Sequence, residues 1–169
     1  MLFRSIDETT GGAVPVIRAM PNTPALVGKG AAAICGNQAS ASTDLQWAEE
    51  ILGAVGTVVR TDEQLLDAVT GLSGSGPAYV FLVAEAMIDA GVMTGLSRPI
   101  ATELAVQTLL GAATLLADGK PPAELRADVT SPGGTTAAGL RELESHGLRA
   151  AFAAAIEAAS RRSQELGRN

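Results

Sequence analysis

The spacing of hydrophobic and polar positions changes near residue 60. Before that point, short β-prone runs separated by turn residues predict strands at residues 15–19, 30–35 and 56–60. Between the second and third runs, apolar residues recur at helical spacing over residues 45–54. The order strand, strand, helix, strand is typical of the closing part of an α/β sheet.

From residue 61 onward the pattern is helical. Residues 77–93 are apolar on nearly every face, interrupted by little more than Tyr79, Glu85 and Asp89. A helix that is hydrophobic all round is buried all round, so we expect a second chain to cover it. Further helices are predicted over four segments, at residues 97–117, 121–128, 135–145 and 148–166.

Composition narrows the class of protein. Hydrophobic residues make up 47% of the 169 residues but aromatic residues only 3%, so the core consists of small aliphatic side chains that suit close helix packing. The formal net charge of −6 argues against a nucleic-acid partner, because phosphate-binding surfaces are basic. The single cysteine, Cys35, excludes an internal disulfide framework, and we expect a buried thiol and no metal site.

The pattern of hydrophobic residues also bears on the cellular location of the protein. No stretch reaches the roughly 18 uninterrupted apolar residues of a membrane span. The first residues lack a long apolar core and soon turn acidic, unlike a signal peptide. We therefore expect a cytoplasmic protein without a membrane partner.

Two glycine-rich segments imitate known motifs. Residues 28–33 match the loose G-x-G-x-x-G/A fingerprint, but a strand-like run follows where a helix is required, which favours a turn. Residues 71–76 resemble a serine-hydrolase elbow but carry Ser75 where glycine belongs. We interpret residues 73–77 as a flexible turn in which Ser75 caps the helix beginning at Pro77.

Two loops have the composition of ligand sites. Pro132 stiffens the entry to the segment at residues 129–136 (the 129–136 loop), and Gly133 and Gly134 allow close approach of a ligand just before a helix. Unpaired N–H groups at a helix start favour a carboxylate. Residues 20–24 (the 20–24 loop) follow a predicted strand end, where open α/β sheets bind ligands. Either loop taken alone is also compatible with a purely structural turn.

Three segments together resemble the signature blocks of pyrroline-5-carboxylate reductases: RAMPNTP at residues 18–24, DAVTGLSGSGPAY at 67–79 and VTSPGGTT at 129–136. Their order and spacing also fit, and the similarity runs from about residue 14 to about residue 166. The family reduces 1-pyrroline-5-carboxylate to L-proline with NADPH or NADH. The resemblance implies a Rossmann-like NAD(P)-binding domain, of which residues 1–60 are the C-terminal portion. It also implies an all-helical dimerisation and substrate-binding domain over residues 61–169.

The resemblance also implies roles for individual residues. The substrate carboxylate would be held by the 129–136 loop, and Thr136 would be the catalytic residue that orients the ring nitrogen or relays its proton. Two sets of binding residues follow: for the substrate, Val129, Thr130, Ser131, Gly133, Gly134, Thr135 and Thr136; for the cofactor, Met20, Asn22, Thr23 and Pro24. In this family the active site lies between the nucleotide domain of one subunit and the helical domain of its partner, so a homodimer, or a larger assembly of dimers, is implied.

Other interpretations of what this chain does remain open. The glycine-rich fingerprint of the family is expected to lie outside these residues, so the chain is expected to be either the later part of a longer product or a natural remnant. A non-catalytic helical dimerisation module derived from the enzyme is the main alternative. A serine hydrolase is a distant third, opposed by the incomplete elbow and the solitary His146.

Overall fold

The computed structural model of the chain describes residue 6 and residues 9–168, the side chain of residue 168 excepted. The described residues form two compact units. The first comprises the residues up to Ala78 together with those from Phe152 onward, and the second is Tyr79–Ala151. These units group residues by contact, and the domain boundary at residues 60 and 61 stays a prediction.

A three-stranded sheet forms the centre of the first unit. Strands β1 (Ile17–Met20), β2 (Gly30–Gly36) and β3 (Gly56–Arg60) lie in that order, with β1 antiparallel and β3 parallel to β2. The parallel pair is joined through helix α1 (Ser42–Gly53), as a parallel connection requires. The predicted order of strand, strand, helix and strand is confirmed.

Side chains from both faces of β2 form the core of this unit. On one face, Ala33 and Cys35 pack against Leu66, which is 1% exposed. The alternate residues, Ala32 and Ile34, point to the opposite face, where α1 packs. Burial raises the pKa of the Cys35 thiol, and nearby Glu63 raises it further, against an opposing effect of Arg18. The predicted burial of the thiol is confirmed.

Five longer helices follow the sheet, close to their predicted bounds. Pro99 lies in the first turn of the second of these helices, and Gly147, with φ +73°, ends the fourth, as the sequence indicates. The five helices are α3 (Gly76–Met93), α4 (Arg98–Ala117), α5 (Pro122–Asp128), α6 (Thr135–Ser145) and α7 (Leu148–Arg168).

The segment before α3 is helical rather than a flexible turn. A 3-10 turn (Glu63–Leu65) leads into a short helix α2 (Leu66–Val69) and then a π-helical turn, Thr70–Gly74 (the π-turn). The N–H of Ser75 donates to the carbonyl of Thr70 at 2.8 Å, the i to i−5 bond of a π-helix. The prediction of a flexible turn in which Ser75 caps the following helix is wrong, because the backbone of Ser75 is itself helical (φ −84°, ψ −17°).

Helices α3 and α4 leave most of their apolar surface uncovered within the described residues. No residue of α3 is buried, and α4 buries only Ala101 and Ala105. Phe81 and Leu82 are 63% and 64% exposed. By length and composition alone, the run Glu63–Met93 and α4 are apolar enough to cross a membrane, but core helices of soluble proteins pass the same test. Surface of this kind is typical of an interface.

Candidate functional site

The 129–136 loop contains a tight turn set by its own sequence. The N–H of Gly134 donates to the carbonyl of Ser131 at 3.0 Å, closing a four-residue turn. Pro132 stands at the second position and Gly133, with φ +70°, at the third, which is the pattern of a type II turn. Proline presets the first dihedral angle and glycine tolerates the positive one, so these two residues determine the shape of the loop.

This turn delivers the chain directly into α6. Gly134 is the N-cap residue, with extended backbone (φ −76°, ψ 172°) and no side-chain cap. A side chain at this position would collide with Ser131 Oγ and lie 3.1 Å from the Ser131 carbonyl oxygen. The first-turn N–H groups, those of Thr135, Thr136 and Ala137, precede the first intrahelical donor, that of Ala138, whose bond to the Gly134 carbonyl is 3.2 Å. An uncapped helix start of this kind attracts a carboxylate.

The side chains of the 129–136 loop differ in solvent exposure and in hydrogen bonding. Thr136 and Thr130 are half-buried, whereas Ser131, Thr135 and Val129 are exposed. The hydroxyl of Thr130 donates to the carbonyl of Arg126 in α5 at 2.6 Å, so its proton is engaged in holding the loop to that helix. Among residues 9–168, no group of three His, Cys, Asp or Glu side chains is arranged to hold a metal ion.

The 20–24 loop lies in the first unit, at the end of β1. It continues into a 3-10 helix, Thr23–Val27, which the sequence interpretation missed although Pro24 in the first turn and Gly28 after the last turn signal it. Gly28, with φ +69°, ends this helix, and β2 follows at Gly30. The turn is therefore confined to residues 28 and 29, and a strand follows it where a dinucleotide fingerprint requires a helix, as the sequence predicts.

Asn22 connects this loop to two other segments. Its Oδ1 accepts a hydrogen bond from the Ala31 N–H at 2.8 Å, and its Nδ2 donates to the Ser73 carbonyl at 3.0 Å. Asn22, Met20 and Pro24 are half-buried, and Thr23 is exposed. The structure therefore brings the 20–24 loop together with the π-turn, a pairing that the sequence does not reveal because Asn22 and Ser73 are 51 residues apart.

The comparisons with known proteins bear on both loops. A family model described as pyrroline-5-carboxylate reductase dimerisation matches residues 63–166, more than half of the chain. The chain belongs to this family. The predicted resemblance is therefore confirmed, and the matched region begins in the helical run and includes the π-turn and the 129–136 loop.

Curated relatives carry the name pyrroline-5-carboxylate reductase. The Synechocystis relative is 54% identical over 154 residues, which are 90% of this chain and 58% of the relative. The relative from Corynebacterium melassecola is 48% identical over 166 residues, 98% of this chain and 62% of the relative. The chain thus spans about three fifths of the length of these pyrroline-5-carboxylate reductases.

Solved structures give the same family. A pyrroline-5-carboxylate reductase from Coxiella burnetii aligns with a TM-score of 0.93 and 40% identity, covering 97% of this chain and 62% of that one. The Plasmodium falciparum pyrroline carboxylate reductase, solved with NADP bound, gives 0.88 and 37%, with coverages of 97% and 66%. The fold class, three strands of an α/β sheet followed by mostly helical structure, is confirmed.

Proposed function

We propose that this chain is part of a pyrroline-5-carboxylate reductase, which reduces 1-pyrroline-5-carboxylate to L-proline with NADPH or NADH. The observation that carries the proposal is the type II turn of residues 131–134 opening into the uncapped start of α6, in a chain of this family. Residues 1–60 would belong to the NAD(P)-binding domain and residues 61–169 to the dimerisation and substrate-binding domain, in a cytoplasmic homodimer.

In this proposal the 129–136 loop binds the substrate carboxylate. The N–H groups at the start of α6 and the Ser131 and Thr135 hydroxyls supply the donors, and the helix start supplies partial positive charge. Gly133 and Gly134 keep side chains away from the approach. Val129 lines the loop, and Thr130, whose proton is bonded to the Arg126 carbonyl, fixes its outer end.

Thr136 would act on the ring nitrogen of the imine. A threonine hydroxyl is a weak acid, so it orients the nitrogen or passes a proton from water rather than supplying one by itself. Its half-buried position in the first turn of α6 keeps the hydroxyl beside the carboxylate donors. The carboxylate and the ring nitrogen are a fixed distance apart in the substrate. Binding the carboxylate at the helix start and the nitrogen at Thr136 would therefore orient the whole ring.

In this proposal the described residues would meet only the nicotinamide end of the cofactor. Met20, Asn22, Thr23 and Pro24 form a rigid loop with one exposed hydroxyl, that of Thr23, and the amide of Asn22 is bonded to backbone. Residues 28–33 enter a strand and present no helix start to a pyrophosphate. The cofactor, when bound, supplies the hydride. The described residues would orient the substrate and pass a proton from water to the ring nitrogen.

Kinetics of a hybrid enzyme would test the proposal. The N-terminal part of the Synechocystis relative, joined ahead of Val14, would give a polypeptide of the full family length. We expect Gly134→Val to raise KM for 1-pyrroline-5-carboxylate, and Thr136→Ala to lower kcat by roughly 10–100-fold, as for the loss of a bond made in the transition state. Thr136→Ser should recover much of that loss.

The controls separate chemistry from folding. Circular dichroism must show that each variant folds. If Thr136 is only a helix residue, Thr136→Ala will change stability and leave kcat and KM as they were, which would contradict its catalytic role. A folded, dimeric hybrid without reductase activity would contradict the proposed function as a whole.

A second candidate is a non-catalytic helical dimerisation module. The exposed apolar surface of α3 and α4 favours it, because this surface needs only another copy of the chain. The 169-residue polypeptide by itself is expected to show no micromolar binding of NADPH in a fluorescence titration and no reductase activity. An active hybrid decides for the reductase, whereas a dimeric but inactive hybrid decides for the module.

A further inference from the structure

The π-turn is in contact with two different neighbours in the first unit. On one side it meets α7: a Cβ built on the buried Gly71 would lie 2.6 Å from the carbonyl oxygen of Ile156. One turn earlier, the hydroxyl of Ser163 in α7 donates to Asp67 Oδ1 at 2.5 Å. The backbone of the π-turn is therefore set against the backbone of α7, with no room for a side chain between them.

The other side of the π-turn meets the 20–24 loop. In a regular helix the carbonyl of Ser73 would accept a bond from the residue four positions later, but that residue is Pro77, which has no N–H. Asn22 Nδ2 supplies the missing donor at 3.0 Å. At the next residue, a Cβ on Gly74 would lie 2.6 Å from Met20 Cε, so glycine leaves the space that the methionine methyl occupies.

We propose that the π-turn is a positioning element that holds the 20–24 loop in shape, with Asn22 as the positioning residue that links them. The Oδ1 of Asn22 ties the loop to the start of β2 through Ala31, and its Nδ2 ties the loop to the carbonyl that Pro77 leaves unpaired. Packing of Gly71 on α7 fixes the turn, and so the C-terminal helix determines the position of Met20. That the loop faces a cofactor rests on the proposed function; the positioning itself does not.

The two bonds of Asn22 can be separated by two substitutions in the full 169-residue chain. Asn22→Ala removes both bonds, and Asn22→Asp keeps an acceptor for Ala31 but removes the donor to Ser73. The readouts are amide exchange at Ala31 and the 13C-methyl spectrum of the methionines, in which Met20 reports the loop. Met87 and Met93 lie in the second unit and serve as internal controls.

Each variant has a distinct expected pattern. Asn22→Ala should speed exchange at Ala31 by roughly tenfold or more, as for the loss of one hydrogen bond, and move the Met20 methyl resonance. Asn22→Asp should leave Ala31 protected and still move the Met20 resonance. In both variants the Met87 and Met93 resonances should stay in place, which general destabilisation would not produce.

A pair of glycine substitutions tests the path from α7. Gly71→Ala places a methyl against the Ile156 carbonyl and should move the Met20 resonance, although Gly71 has no Met20 contact of the kind Gly74 has. Gly76→Ala is the matched control: its Cβ would have no atom within 4 Å, and Met20 should be unaffected. If Gly71→Ala does not fold, the two Asn22 variants decide by themselves.

The proposal is overturned if Asn22→Ala leaves the Met20 resonance and Ala31 exchange as in the unaltered chain. It is also overturned if all methionine resonances move together in both Asn22 variants, since Asn22 would then be a general stability residue. Neither result depends on reductase activity, so failure here leaves the proposed function standing, and an inactive hybrid leaves the positioning element standing.

Discussion

The two parts of this molecule bury their apolar residues in different ways. Around the sheet, Ile34 and Leu66 are at most 1% exposed, and five further buried side chains or glycines lie near them: Ala32, Ala33, Cys35, Ala48 and Gly71. In the second unit only Ala101 and Ala105 are buried, although α3 and α4 are the most apolar of the longer helices. The sheet region closes a small core with its own residues, although Leu26, Val27 and Trp47 stay exposed. Helices α3 and α4 bury almost none of their apolar residues, and surface of this kind is typical of an interface.

This difference determines how the stability of each region should depend on protein concentration. A core that the chain closes by itself contributes to stability independently of protein concentration, whereas a surface covered by a second copy stabilises only the assembled state. The family's dimerisation region, residues 63–166, contains the uncovered helices. Four experiments would break or sharpen the comparison.

The largest expected effect is loss of self-association on Phe81→Asp. Phe81 is 63% exposed in one copy, and a carboxylate placed in an apolar interface costs several kcal/mol, so we expect the dimer to weaken at least ~100-fold. Sedimentation velocity over a concentration series measures this. Leu26→Asp, at a 90% exposed leucine of the sheet region, is the matched control and should leave association unchanged. A stable monomer formed by the unaltered chain at micromolar concentration would refute the interface.

The next effect is on the core of the sheet region. Leu66→Ala removes a fully buried side chain and should lower the free energy of unfolding by about 2–5 kcal/mol. Urea unfolding followed by circular dichroism should give that loss at every protein concentration. Leu110→Ala, at a residue that is 59% exposed in one copy, should have an effect that depends on protein concentration. Equal, concentration-independent losses in both variants would remove the distinction between the two regions.

A smaller effect tests the turn in the 129–136 loop. Gly133 has φ +70°, so Gly133→Ala should destabilise the protein by about 1–2 kcal/mol through backbone strain. The control is Gly139→Ala within α6, where a Cβ meets nothing within 4 Å and should stabilise by roughly 0.5–1 kcal/mol. Thermal unfolding of the two variants should therefore shift in opposite directions. A stabilising Gly133→Ala would mean that the turn is not of type II.

The smallest effect concerns Cys35. Burial raises the pKa of this thiol above its ordinary value of 9.0, so the folded state retains the proton more strongly than the unfolded state does. The ionisation of Cys35 should therefore leave the free energy of unfolding unchanged at neutral pH and should lower it as pH rises above about 9. Comparing urea unfolding of the unaltered chain and Cys35→Ala across that range isolates the contribution. A difference between the two that stays constant with pH would contradict the raised pKa.

Features that depend on the steric limits of one or two residues could be predicted from the sequence. Pro132 followed by Gly133 presets a type II turn, and Gly147 ends α6 with a positive φ, because both depend on the steric limits of single residues. The helical spacing of residues 77–93 likewise predicts α3. The prediction of a flexible turn at residues 73–77 was wrong because glycine and serine favour flexibility only in isolation.

The sequence by itself determined the order of the strands and longer helices, the turn before α6 and the family, since each depends on nearby residues or on motif order. Only the tertiary structure decided that Thr70–Gly74 is a π-turn and that Asn22 is bonded to Ser73. Those features depend on α7 lying against Gly71 and on a bond between residues 51 apart in the chain. Backbone propensity acts over a few residues. The hydrogen-bond partner of the Ser73 carbonyl, which Pro77 leaves without its helical donor, depends instead on which distant side chain the fold brings beside it.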